Sequence, residues 1–218
     1  MRYYIADCHF FHRDLLDAMD RRNFGSVEEM NDYMIARWNA KVRPRDEVVI
    51  LGDFSMGNAA QTNEIVAKLH GKLHLIIGNH DNRFLRSKQF DRERFVWIHP
   101  YAEMHDEGRK VVLCHYPMPC YNGQYLKNKQ GEPKTFMLYG HVHDTHDARL
   151  MEQFGQQMRK TTVTGKDGEP FSLACNMINC FCMYSDYEPL SLDEWIARTS
   201  MIRYNNRMGN EYDPKERD

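Results

Sequence analysis

The chain has no apolar run approaching the roughly 18 residues of a membrane-spanning helix. Its longest runs, such as VVIL at 48–51, have the length of a strand. The first ten residues, MRYYIADCHF, hold no basic leader followed by a long apolar stretch, so no secretory signal is expected and the chain reads as cytoplasmic. An excess of one charge is also missing: 29 Lys plus Arg against 31 Asp plus Glu leave −2. A dedicated nucleic-acid grip usually shows a basic excess, so this balance argues against one, though a local basic patch stays possible. There is no internal repeat, no low-complexity tract and no pair of C-x2-C knuckles of the kind that hold structural zinc. The six cysteines (Cys8, Cys114, Cys120, Cys175, Cys180 and Cys182) therefore read as reduced, mostly buried thiols.

What is present is an ordinary globular composition, 42% hydrophobic and 12% aromatic over 218 residues. A chain of this size folds without disulfides or a structural metal. One domain over residues 1–203 is expected, with a polar tail at 204–218 that frays. Residues 1–6 read as a strand, and Ser26 with Glu29 forms a capping box ahead of a helix carrying Val27, Met30, Met34, Trp38 and Val42. A strand over 47–51, a helix over 58–70 with Gly71 as its C′ residue, and a strand over 72–77 follow. Strand, helix, strand, helix, strand points to a parallel α/β sheet. A hairpin is expected from 101–104 and 110–114 about Asp106-Glu107-Gly108, then a long loop at 116–135 and a strand at 135–139. Residues 146–170 carry no clear pattern, 172–184 read as one or two strands, and Ser191 with Glu194 caps a final helix to about residue 203.

The eleven histidines are the unusual feature, and several sit where strands end. Strand-like runs lead into Asp7-x-His9, Gly52-Asp53, Gly78-Asn79-His80-Asp81 and Gly140-His141-x-His143, and Val111 to Cys114 leads into His115. In an α/β sheet the carboxyl ends of the strands line the site crevice, so groups far apart in sequence can converge there. Imidazoles mixed with carboxylate and amide oxygens suit Mn²⁺, Fe, Zn²⁺ or Ni²⁺, whereas an all-oxygen set would suit Mg²⁺ or Ca²⁺. Seven such groups exceed the needs of one ion and match two ions sharing a carboxylate.

These blocks, in this order over residues 7–143, resemble the calcineurin-like metallophosphoesterases. The resemblance implies an α/β (α+β) fold, a two-sheet β-sandwich flanked by helices in αββα layers. It implies that Asp7, His9 and His143 hold one divalent ion and that Asn79, His115 and His141 hold a second. Asp53 would bridge them, one ion through each carboxylate oxygen. Manganese leads the choice of metal, with iron, zinc or nickel as others. His80 would face the substrate and stabilise phosphoryl charge or protonate the leaving alkoxide, with Asp81 orienting its imidazole. The implied reaction is in-line attack of a metal-bound hydroxide on a small phosphomonoester or phosphodiester. A nuclease using the same metals, and a non-catalytic metal-binding scaffold, are the alternatives.

Departures narrow the branch. Gly52-Asp53 is followed by Phe54-Ser55-Met56-Gly57 rather than D-R-G, and Ile77 rather than arginine precedes Gly78, which argues against a phosphoprotein phosphatase. Asp7-x-His9-Phe10-x-His12 and the stretch Tyr187 to Glu194 look like the small bacterial and phage branch. His12 either touches substrate phosphate or is a helix-start histidine in solvent. Arg83 either clamps a phosphate oxygen or makes a surface ion pair. His146 reads as a loop histidine, and His70, His74, His99 and His105 have no site context. The 116–135 loop is either a substrate lid or a surface loop.

Overall fold

The computed structural model describes residues 1–207, with side chains to residue 203. Among the described residues the chain forms ten strands and five α-helices: β1 (Arg2–Ile5), α1 (Val27–Lys41), β2 (Glu47–Ile50), α2 (Ala59–Lys68), β3 (Lys72–Ile76), α3 (Asn82–Leu85), β4 (Phe95–His99), β5 (Tyr101–Asp106), β6 (Arg109–Cys114), β7 (Thr135–Tyr139), α4 (His146–Lys160), β8 (Thr162–Thr164), β9 (Pro170–Ser172), β10 (Met177–Asn179) and α5 (Leu192–Arg207). The expected frayed tail is helical at 204–207, and 208–218 lie outside the described residues.

Two four-stranded sheets stack. The first is all parallel, in the order β1-β2-β3-β4, and the second runs β10-β7-β6-β5 with only β5 antiparallel. Successive side chains of a strand face opposite ways, and β1 shows which layer lies on each side. The Lys41 ammonium of α1 lies 5.6 Å over the Tyr3 ring, while the Tyr4 hydroxyl donates to Asp106 of β5 at 2.9 Å. The outer face of the second sheet (Val112, Met137, Tyr139, Met177) is covered by Met151, Phe154 and Met158 of α4. Helix, sheet, sheet and helix are the expected αββα layers. Covered on both faces, β1, β2 and β3 are buried almost end to end, which is why they read as apolar runs rather than alternating ones.

Local signals hold at most places. Ser26 Oγ accepts the Glu29 N–H at 3.1 Å at the start of α1, and Ser191 and Glu194 bond reciprocally before α5. The hairpin turns on Glu107 (φ 47°) and Gly108 (φ 77°), the two positive dihedrals of a tight two-residue loop. Gly71 is not the C′ residue of α2: the cap is Leu69, and Gly71 (φ 96°) turns the chain into β3 two residues later. Two elements went unread. The edge strand β4 is only partly buried, which left its sequence without a strand signature. In 146–170 the chain forms α4, capped by Thr145, and the short β8–β9 hairpin. The 116–135 segment is a loop, with Tyr121 and Gln124 buried at its base.

Candidate functional site

All the predicted blocks lie just beyond the carboxyl ends of strands. Asp7 and His9 follow β1, Asp53 follows β2 and Asn79 and His80 follow β3; His115 follows β6, and His141 and His143 follow β7. These strands are neighbours in their two sheets, so the blocks meet where the sheet ends converge. The chain must then turn its side chains inward at short range. Asp7 (φ 56°), His9 (50°), Asp53 (51°), His141 (70°) and His143 (47°) all have left-handed backbone, which costs each non-glycine residue about 1–3 kcal/mol and persists only where surrounding structure fixes it. A side chain at Gly52 would collide with the His115 ring, and one at Gly78 with the Asp53 backbone and carboxylate.

Two clusters result, Asp7–His9–His143 and Asp53–His115–His141, each with ligand atoms mutually within 4.8 Å. In the first, His143 Nδ1 lies 2.7 Å from the Asp20 carboxylate. A carboxylate only accepts, so Nδ1 carries a proton and Nε2 is the nitrogen turned into the site. That Nε2 faces His9 Nε2 at 3.1 Å. Burial, with the Arg22 charge adding to it, holds His9 well below its ordinary pKa, so two imidazole nitrogens face each other across a gap that asks for a cation. Burial also raises Asp7 to about 6.

In the second cluster His115 Nδ1 donates to the Leu51 carbonyl at 2.8 Å. Its Nε2 meets Asn79 Oδ1 at 3.1 Å and Asp53 Oδ2 at 3.4 Å. Burial opposes charge on this ring, but the Asp53 and Asp7 carboxylates outweigh it and lift its pKa to about 9. Asp53 is held low despite burial, chiefly by that bond to His115.

Asp53 presents one carboxylate oxygen to both clusters. Its Oδ1 accepts the His80 backbone N–H at 2.9 Å, while Oδ2 lies 3.6 Å from His9 Nε2 and 3.4 Å from His115 Nε2. A backbone donor thus takes up one lone pair of Oδ1, and Oδ2 is the oxygen that faces both histidines.

The His80 side chain is 40% exposed, with Nε2 4.0 Å from Asp53 Oδ2. Asp81 does not orient it. The Asp81 carboxylate is buried and accepts the backbone N–H groups of Gly78 (2.7 Å), Phe54 (2.8 Å) and Asp53 (3.0 Å). It braces the two turns that carry Asp53 and Asn79, and its burial raises its own pKa to about 7.

His12 is drawn to the site, its Nδ1 3.2 Å from His9 Nδ1. With Arg13, Met56 and Arg83 it lines an adjoining cleft of about 360 Å³. Among the described residues no salt bridge is seen for Arg83, which is exposed. His146 opens α4 with a side chain 78% exposed, away from both clusters. No cysteine joins a metal-compatible cluster among the described residues, and Cys8, Cys175, Cys180 and Cys182 are buried thiols.

Sequence reasoning missed Asp20, Arg22 and Tyr116. The Tyr116 ring lies 4.5 Å from that of exposed His141, and its place directly after His115 was an available signal. Asp20 and Arg22 sit in the unpatterned run DAMDRRNF, where nothing marks them.

Residues 4–163 match the calcineurin-like phosphoesterase superfamily domain. The chain is 32% identical over 146 residues to the uncharacterized protein MJ1445 of Methanocaldococcus jannaschii, covering 66% of this chain and 70% of that one. A crystal structure of the protein of unknown function AQ665 from Aquifex aeolicus superposes with a TM-score of 0.58 at 22% identity, covering 89% of this chain and 96% of the other. That likeness speaks for the fold alone.

Proposed function

The chain belongs to the calcineurin-like phosphoesterase superfamily, and from that premise we propose that it hydrolyses a small phosphate ester at a pair of divalent metal ions. The observation that carries the reading is Asp53 Oδ2, set between His9 Nε2 at 3.6 Å and His115 Nε2 at 3.4 Å, at the join of two clusters of metal-compatible atoms. Asp7, His9, His143 and Asp53 would hold one ion. Asp53, Asn79, His115 and His141 would hold the other. Nitrogen and oxygen donors in this mixture suit manganese, iron, zinc or nickel. Such a pair supplies Lewis acidity, which neutralises phosphoryl charge and acidifies a water nucleophile.

The chain's own groups do the rest. His80 reaches the open side of the site, where its ring can donate a proton to the departing alkoxide or hydrogen-bond a phosphoryl oxygen. The cleft of His12, Arg13, Asp14, Met56 and Arg83 would take the leaving group, with two guanidinium groups and one carboxylate on its walls. A charge of −2 supports a small ester over nucleic acid. Six unpaired thiols support a cytoplasmic setting.

Elemental analysis of the purified protein, paired with hydrolysis of para-nitrophenyl phosphate and its bis-ester under added Mn²⁺, tests the proposal. The expected result is about two ions per chain and turnover of at least one ester. A protein that binds no metal under any loading condition, or a loaded one that cleaves neither ester, would overturn it.

A further inference from the structure

The structure assigns Asp20, clamped by Arg22, as a positioning residue that makes the Asp7–His9–His143 position the tighter of the two, first to fill and last to empty. The inference rests on the two-metal reading above and asks what distinguishes the two positions.

Asp20 and Arg22 form a buried pair, their side chains 2% and 0% exposed. One Asp20 oxygen accepts His143 Nδ1–H at 2.7 Å, and the other accepts Arg22 Nε–H at 2.9 Å and lies 2.9 Å from the guanidinium NH2 nitrogen. The same guanidinium donates to the Cys8 carbonyl at 2.6 Å and the Asp7 carbonyl at 2.9 Å. It lies between the Phe181 and Tyr187 rings, 6.0 and 5.8 Å from their centroids. The His143 ring stacks on Phe181 at 4.7 Å, and Cys182 Sγ–H donates to the Asp7 carbonyl at 3.2 Å. One buried cation thus fixes the carboxylate behind His143 and the backbone that carries Asp7 and His9.

The second position has no hydrogen-bonded carboxylate behind its imidazoles. His115 Nδ1 donates to the neutral Leu51 carbonyl at 2.8 Å, with the Asp7 carboxylate beyond hydrogen-bond reach at 3.9 Å, and neither ring nitrogen of exposed His141 has a hydrogen-bond partner among the described residues. A carboxylate behind an imidazole fixes its tautomer and raises its basicity toward a metal, and such partners are worth about 10–100-fold in metal affinity. Burial strengthens that effect at the first position, whereas solvent reaches the second through His141.

Calorimetric titration of the chelator-stripped full chain with Mn²⁺ tests this. The wild type should bind in two resolved steps. Asp20→Asn should weaken the tighter step about 10–100-fold and move the weaker one by less than about threefold. Asn79→Ala should do the reverse. The His143 Nδ1–H resonance should move upfield in Asp20→Asn, a readout independent of turnover. Because Asp20→Asn leaves Arg22 buried without its carboxylate, Asp20→Asn with Arg22→Met removes the orphaned charge and should show at least the same loss at the tighter step, since Arg22 also holds the Asp7 and Cys8 carbonyls. Two equal steps in the wild type, or a tighter step indifferent to Asp20, would overturn the inference while the metal centre stands. No binding by the wild type would overturn both.

Discussion

The carboxylate of Asp81 accepts the backbone N–H of Asp53 at 3.0 Å, across 28 residues of sequence, while its immediate neighbour His80 receives nothing from it. With the bonds from Phe54 and Gly78, the Asp81 side chain closes two turns around the carboxylate that both clusters share. A residue expected to tune the candidate acid instead holds the scaffold for the candidate bridge.

Asp81→Ala should therefore act on folding and metal retention. Removing a buried acceptor from three backbone donors is expected to cost about 3 kcal/mol in urea unfolding and to lower metal content. In a double-mutant cycle read as turnover, Asp81→Ala and His80→Ala should be additive within about 0.5 kcal/mol. Strong coupling between them would restore a His80–Asp81 dyad and contradict the observed contacts.

His80→Ala, by contrast, should keep the full metal complement. The ring is 40% exposed and offers no atom to either cluster, so its removal is expected to cost turnover about 10²–10⁴-fold with unchanged metal content. Loss of an ion along with activity would make His80 a ligand.

Asp53→Asn should lower metal content and turnover together. The amide keeps the shape but loses the charge that Oδ2 presents between His9 and His115. Full turnover in this variant, with two ions bound, would remove Asp53 from the bridging role.

Stability should show a histidine penalty from a residue outside the site. His74 is buried in β3 with its ring 4.9 Å from Trp97, and neither of its nitrogens has a hydrogen-bond partner among the described residues. Burial lowers its pKa, the nearby Glu47 opposes this, and Arg2 and Lys72 reinforce it. A base whose folded pKa is depressed takes up its proton first in the unfolded state. Stability should thus fall as pH drops below the ordinary value of 6.5 and keep falling until the folded ring also titrates. His74→Leu should gain about 1–2 kcal/mol at pH 7, by removing an unpaired buried polar group, and flatten the acid slope. Urea unfolding at about pH 7 and pH 5.5 checks both parts; an unchanged slope would show that the ring titrates normally in the folded chain.

The residues that gather in the candidate site were legible in sequence because strand ends that feed a site end in characteristic residues. An apolar run followed by Gly-Asp, Gly-Asn-His-Asp or Gly-His-x-His marks both the strand and the group it delivers. The same runs gave the parallel core of the first sheet, since strands covered on both faces need continuous burial. The edge strand β4 and the helix α4 escaped because each is only partly covered, so neither needed a strong pattern.

Read alone, the residues determined that imidazoles and carboxylates recur at strand ends in a family's order, because ligand chemistry is carried by side-chain type and local spacing. They could not say which oxygen of Asp53 is free, what Asp81 holds, or that Asp20 and Arg22 stand behind His143. Those facts depend on which backbone N–H, which carbonyl and which charge arrive from distant segments. Only the packing of two sheets decides that, as when it sets Asp20 2.7 Å from a histidine 123 residues away.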